Sequence, residues 1–117
     1  MAGESISVEN FGEYILVEIR MPKMYQAAVQ VFRERMFSLL EDGHTRIILD
    51  LSDVEVMNSS GLGVILHMWD TLSNTGGNMT VTGLGPVMQE LFERMRLDQL
   101  ISVSKSLEEA VKQMVRT

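Results

Sequence analysis

Ile48-Leu49-Asp50-Leu51-Ser52-Asp53-Val54-Glu55-Val56-Met57-Asn58-Ser59-Ser60-Gly61-Leu62-Gly63-Val64-Ile65-Leu66 holds two different periodicities joined by a polar turn. Its first part belongs to a short apolar run from Arg46 to Leu51, rich in β-branched and leucine residues, with its one internal charge, Asp50, near the end. Such a run fits a central strand covered on both faces. Beyond the link Ser52 to Met57, the cluster Asn58-Ser59-Ser60-Gly61 supplies the short polar side chains that cap a helix. Leu62, Ile65, Leu66, Trp69 and Leu72 then recur on one helical face. The stretch therefore reads as strand, loop and helix, with the loop at the strand's carboxyl end, where open α/β sheets meet ligands and partners.

Upstream, Ile and Val alternate with polar residues from Ser5 to Val8, and a second β-rich run covers Tyr14 to Ile19 after Asn10-Phe11-Gly12-Glu13, which predicts a hairpin. Pro22 is placed for a first helical turn, and Tyr25, Ala28, Val29, Phe32, Met36, Leu39 and Leu40 predict a long amphipathic helix ending near Asp42-Gly43. Downstream, Gly76-Gly77 ends the second helix and Met79 to Thr82 forms a strand. Pro86 opens a helix with Met88, Leu91, Phe92 and Met95 inward, and Leu100 to Val103 is a last strand. Ser106 and Glu109 have capping-box spacing ahead of the buried stripe Leu107, Ala110, Val111 and Met114. The expected fold class is α/β, with a mixed four- to five-stranded sheet, an N-terminal antiparallel hairpin and about four helices in one domain spanning residues 1–117.

Composition narrows the function. A chain of 117 residues with 45% apolar content has room for one core. The absence of cysteine excludes disulfides, Cys-ligated zinc and thiol nucleophiles. A net charge of −6 argues against nucleic-acid and anionic-membrane partners. The opening lacks the basic and apolar segments of a signal peptide, and no run nears the roughly 20 apolar residues of a membrane span. A cytoplasmic protein without direct membrane insertion is expected.

Catalytic constellations are poorly supplied. Ser59 and Ser60 have the only notable setting for a nucleophile, yet His67 lies about 10 Å further along the helix from Ser60. His44 precedes the central strand and so belongs to its opposite end. Neither serine sits in a Gly-x-Ser-x-Gly elbow. Gly61-Leu62-Gly63 lacks both the Lys-Ser/Thr ending of a P-loop and the third glycine of a dinucleotide fingerprint. The two histidines have no metal-ligand spacing. Asp50 and Asp53 could serve as a magnesium or acid-base pair, or simply as loop caps. No cofactor and no catalytic residue are assigned.

The quoted stretch resembles the signature of bacterial STAS-domain anti-sigma factor antagonists: a strand ending in Asp-Leu, a short apolar link, Met-Asp-Ser-Ser/Thr-Gly-Leu-Gly, and a helix. The likeness continues through Gly76-Gly77 and Pro86 to the terminal helix. It implies that Ser59 is phosphorylated by an anti-sigma factor that is also a serine kinase of histidine-kinase-like ATPase fold, and that a PP2C-type phosphatase restores it. The unphosphorylated antagonist holds the kinase and frees the sigma factor; the phosphorylated form lets the kinase go. The chain is then a switch and a kinase substrate, not an enzyme. Local chemistry alone favours reading Ser59 as a helix cap; the resemblance reverses that preference.

With Leu62, Ile65, Leu66 and Trp69 inward, the helix is expected to present Ser60, Val64, His67 and Thr71 outward, with Met68 at the margin. The expected partner-binding set is Asn58, Ser59, Ser60, Gly61, Val64, His67 and Met68. Two departures from the family pattern stand out: Asn58 replaces the usual Asp, and Ile19-Arg20-Met21-Pro22-Lys23-Met24 replaces the Gly-Glu-Leu-Asp of many relatives. They leave room for an alternative, a constitutive STAS interaction module of a transporter or sensory complex that works without phosphorylation.

Overall fold

The computed structural model describes residues 5–115. Its main sheet has the order β1-β2-β4-β6-β7, built from Ile6–Asn10 (β1), Ile15–Ile19 (β2), Arg46–Asp50 (β4), Asn78–Thr82 (β6) and Ser102–Ser104 (β7). β1 and β2 pair antiparallel as a hairpin; every later pairing is parallel. The helices are Ala27–Glu41 (α1), Ser59–Asn74 (α2), Pro86–Arg94 (α3) and Leu107–Met114 (α4), with a 3-10 turn at Leu97–Gln99. The α/β class, hairpin, five strands and four helices agree with the sequence reading. Among the described residues, no helix is long and apolar enough to cross a membrane.

Strand alternation divides the sheet's covering unequally. Ile15, Val17, Ile19, Ile47, Leu49, Met79 and Val81 form one core with the buried residues of α1, α2 and α3, including Phe32, Ile65 and Phe92. The opposite face packs Leu16 and Ile48 against Ala110 and Met114 of α4, with Tyr14 and Val111 partly buried beside them. There Thr80 shares hydrogen bonds with the Ser102 and Ser104 hydroxyls, 2.9 and 2.7 Å away, and both serines reach Gln113 on α4.

A two-residue parallel pair, Lys23–Met24 (β3) with Val56–Met57 (β5), was not anticipated. It explains why α1 starts at Ala27 rather than at Pro22: the Pro22 carbonyl accepts from the Glu55 and Val56 N–H groups at 2.8 and 3.2 Å, so Pro22 leads into a strand. The last strand likewise starts at Ser102, because Leu97–Gln99 forms the 3-10 turn just before it. Met95 and Leu107, expected inside, are 49% and 39% exposed, at the end of α3 and the start of α4.

Phe32 is fully buried between α1 and the sheet. In urea titration Phe32→Ala is expected to lose about 3–5 kcal/mol of stability, whereas Val87→Ala, at the half-exposed start of α3, stays within about 0.5 kcal/mol of wild type.

Candidate functional site

The carboxyl end of β4 leads through a constrained loop to α2. The Asp50 carboxylate accepts from both the backbone N–H and the hydroxyl of Ser52, turning the chain out of the strand. The Leu51 N–H donates to the Thr82 carbonyl at 2.9 Å, and Gly83, at φ +80°, has no space for a Cβ because Ser52 Oγ occupies it. Asp50 thus works as a loop cap, and among the described residues no cluster of acidic or imidazole groups is arranged to hold a metal.

Asn58 is the hinge of the site. Its extended backbone (φ −81°, ψ 175°) makes it the N-cap of α2, and its side-chain oxygen accepts from the Gly61 N–H at 3.0 Å. Its own N–H donates to the Met24 carbonyl at 3.1 Å, tying the cap to β3. Gly61 is needed for packing, since a Cβ there meets the Met57 Cγ. Capping therefore falls to Asn58, and Ser59 is the first residue of the helix proper, exposed, with Ser60 exposed beside it. No acidic side chain lies in the first turn of α2, so the helix dipole and free N–H groups at this end have no local countercharge.

Along α2 the orientation differs from the sequence expectation. Val64 and Met68, expected to face outward, are buried, with only 2% and 1% exposed. Leu66, expected inward, is 38% exposed, and Trp69 is half-buried. The helix is rotated by roughly 70° relative to the expected stripe, within an apolar arc broad enough to offer two alternative faces. The buried choice is Gly61, Leu62, Val64, Ile65, Met68 and Leu72, which packs against α1 as well as the sheet. Val64 and Met68 are therefore core residues, and Gly61 is a buried packing position; none of the three is a surface contact.

The face that remains outward runs from Ser59 and Ser60 through Gly63, Leu66 and His67 to Asp70. Gly63, Leu66, His67, Trp69 and Asp70 line an open depression of about 410 Å³. His67 is outward as expected but not free-standing: its ring rests on Phe37 of α1 with centroids 4.7 Å apart, and its Nε2 lies 3.5 Å from Thr71 Oγ1. Gly63, Leu66 and Asp70 were missed by the sequence reading; their three- and four-residue spacing from Ser59 was the available signal. Tyr25, next to the Met24 carbonyl that holds Asn58, is 41% exposed and borders the same turn. Ser59, Ser60 and His67 share one helix, and no serine–histidine hydrogen bond occurs among the described residues.

Fold and site together define a small α/β domain that presents a serine turn and one helix face at the carboxyl edge of its sheet. The chain belongs to the STAS domain family, whose model matches residues 5–110. It is 31% identical over 81 residues to the anti-sigma-B factor antagonist of Bacillus subtilis, covering 69% of this chain and 73% of that one. In structure it is similar to the Thermotoga maritima protein TM1081 at a TM-score of 0.87, with 21% identity over 98% of both chains. It is also similar to the Bacillus cell fate determinant SpoIIAA in its phosphorylated form, at a TM-score of 0.74 and 21% identity, covering 94% of this chain and 99% of that one.

Removing the cap oxygen in Asn58→Ala is expected to cost about 1 kcal/mol in chemical denaturation. Asn58→Asp retains the acceptor and adds charge at the positive end of the helix, so its stability should match wild type or exceed it by about 0.3–1 kcal/mol at low ionic strength.

Proposed function

We propose that this protein is an anti-sigma factor antagonist that binds an anti-sigma serine kinase through the outward face of α2 and is released when Ser59 is phosphorylated. The observation that carries this reading is the division of labour at the helix start: Asn58 caps α2, leaving the exposed Ser59 hydroxyl at the first helical position. The Ser59 oxygen attacks the γ-phosphorus of ATP in the kinase, the bond to the ADP oxygen breaks, and the hydroxyl proton passes to a base of the kinase. A PP2C-type phosphatase reverses the modification by hydrolysis. The antagonist supplies the acceptor and the docking face, and the kinase supplies the chemistry.

A phosphate at Ser59 adds about 1.5–2 negative charges and a bulky hydrated group. At the amino end of a helix with no acid in its first turn, that charge is tolerated by the fold itself. Its effect falls on whatever docks there. Ser60, Gly63, Leu66, His67 and Asp70 form the contact strip, Asn58 positions the acceptor, and Gly61 supports it from inside. Support comes from the family membership, from the curated relative named as an antagonist, and from SpoIIAA, a structural relative recorded in a phosphorylated form. A cytoplasmic setting follows from such partners, and the net charge of −6 fits a protein partner better than a nucleic acid.

Asn58 also motivates the second reading, constitutive STAS binding in a transporter or sensory complex, because a neutral amide stands where the signature it resembles has a carboxylate beside the acceptor. Ser59→Asp separates the two. Under the switch, calorimetric titration shows the kinase bound much more weakly by Ser59→Asp while the melting temperature hardly moves; under constitutive binding, the partner is held equally by both proteins. Incubation of wild type with the kinase and ATP is expected to add the mass of one phosphoryl group, and Ser59→Ala to add none. Leu66→Asp is expected to weaken kinase binding by about tenfold or more through loss of an apolar anchor, without unfolding the domain.

A further inference from the structure

The chain leaves β6 and β7 toward opposite faces of the sheet. After β6 it enters α3, whose Met88 and Phe92 belong to the main core; after β7 it enters α4, whose Ala110 and Met114 pack on the other face. The two loops therefore part from each other, and open α/β sheets bind small molecules in the crevice that such a divergence leaves outside the carboxyl ends of the strands. A cavity of about 360 Å³ occupies this place, lined by Leu84 of the loop after β6, Gln89 of α3, Asp98 of the 3-10 turn, and Val103 and Lys105 at the end of β7. Its volume lies within the roughly 300–1,000 Å³ of small-molecule sites. It shares no lining residue with the depression along α2.

The lining selects the chemistry of a ligand. Leu84 and Val103 are half-buried against the main core and give the crevice an apolar floor. Lys105 and Asp98 reach the same cavity from different elements, are exposed, and take part in no ion pair among the described residues. The nearby Glu109 carboxylate is engaged, accepting from the Lys105 backbone N–H at 3.2 Å. The Gln89 amide nitrogen donates to Glu93 at 3.0 Å, which leaves the oxygen of the same amide as an acceptor. A ligand with only an anionic group would meet Asp98 as well as Lys105, and one with only a cationic group would meet Lys105 as well as Asp98, so that repulsion offsets attraction. A molecule carrying both groups satisfies both walls and adds no net charge to a protein already at −6.

We infer that this crevice binds an aliphatic α-amino acid. Lys105 takes the carboxylate, Asp98 and the Gln89 amide oxygen take the ammonium group, and Leu84 and Val103 receive the side chain. Charge-assisted hydrogen bonds at both ends fix the orientation of the ligand, and the apolar floor adds affinity for a branched side chain. The domain then has a small-molecule site on its last two strands, independent of the serine turn.

The test titrates the full chain with L-leucine and L-valine, and with isocaproate and isoamylamine, the analogues of leucine that each lack one charged group, while amide NMR signals are followed. L-leucine is expected to give saturable shifts centred on Leu84, Val103 and Lys105. Isocaproate and isoamylamine should each bind at least about tenfold more weakly than L-leucine. Lys105→Gln and Asp98→Asn should each weaken L-leucine binding about tenfold or more, with melting temperatures close to wild type because both side chains are exposed. Absence of saturable shifts with both amino acids at millimolar concentration overturns the inference. So does L-leucine binding that both variants retain within about twofold, since the ligand then lies elsewhere. Isocaproate binding as tightly as L-leucine removes the role of Asp98 and overturns the amino-acid assignment.

Discussion

Asn58 binds three elements at one point. Its N–H is held by the Met24 carbonyl on β3, its chain continues from β5, and its side-chain oxygen secures the third N–H of α2. Without its side-chain oxygen the helix end loses its cap, while the backbone bond to β3 remains. With it, the Ser59 hydroxyl occupies a fixed place that no part of the domain uses for its own stability. Neutral hydrogen bonds of this sort contribute about 1 kcal/mol each, so their importance lies in geometry more than in holding the fold together. The large energies come from burial beneath α1, α2 and α3.

That division would let charge be added at Ser59 without unfolding the domain. The core of Phe32, Ile65 and Phe92 is packed on the sheet face beneath α1, α2 and α3. The Ser59 turn sits at the carboxyl end of the sheet, where neighbouring charge meets solvent and helix dipole instead of apolar side chains. Under the proposed switch, charge added there acts on whatever docks at the turn, because only the docking surface must desolvate it.

Much of this was legible in sequence where the signals are local. The apolar run ending at Asp50, the cap at Asn58 and the capping serine at Ser106, whose hydroxyl accepts from the Glu109 N–H at 3.1 Å, each act within a few residues. The β3–β5 pair was invisible because two residues give no period, and their partners lie more than thirty positions away. The rotation of α2 escaped for another reason. Its apolar residues cover so wide an arc that hydrophobic spacing permits either Leu66 or Met68 inward, and only the neighbouring α1 and the absent side chain of Gly61 decide between them. Ser59 itself was found by resemblance; its freedom from capping became apparent only once Asn58 was seen to supply the oxygen.

The thin covering of the second sheet face has its own consequence. α4 is held there by a few apolar contacts around Ala110 and Met114 and by hydrogen bonds from the Ser102 and Ser104 hydroxyls to the Gln113 side-chain oxygen. The domain is therefore unevenly covered: one sheet face lies beneath α1, α2 and α3, and the other, among the described residues, beneath α4. Opening of α4 alone would bare that sheet face without disturbing the Ser59 turn on the other side, so the two faces can respond to stress separately.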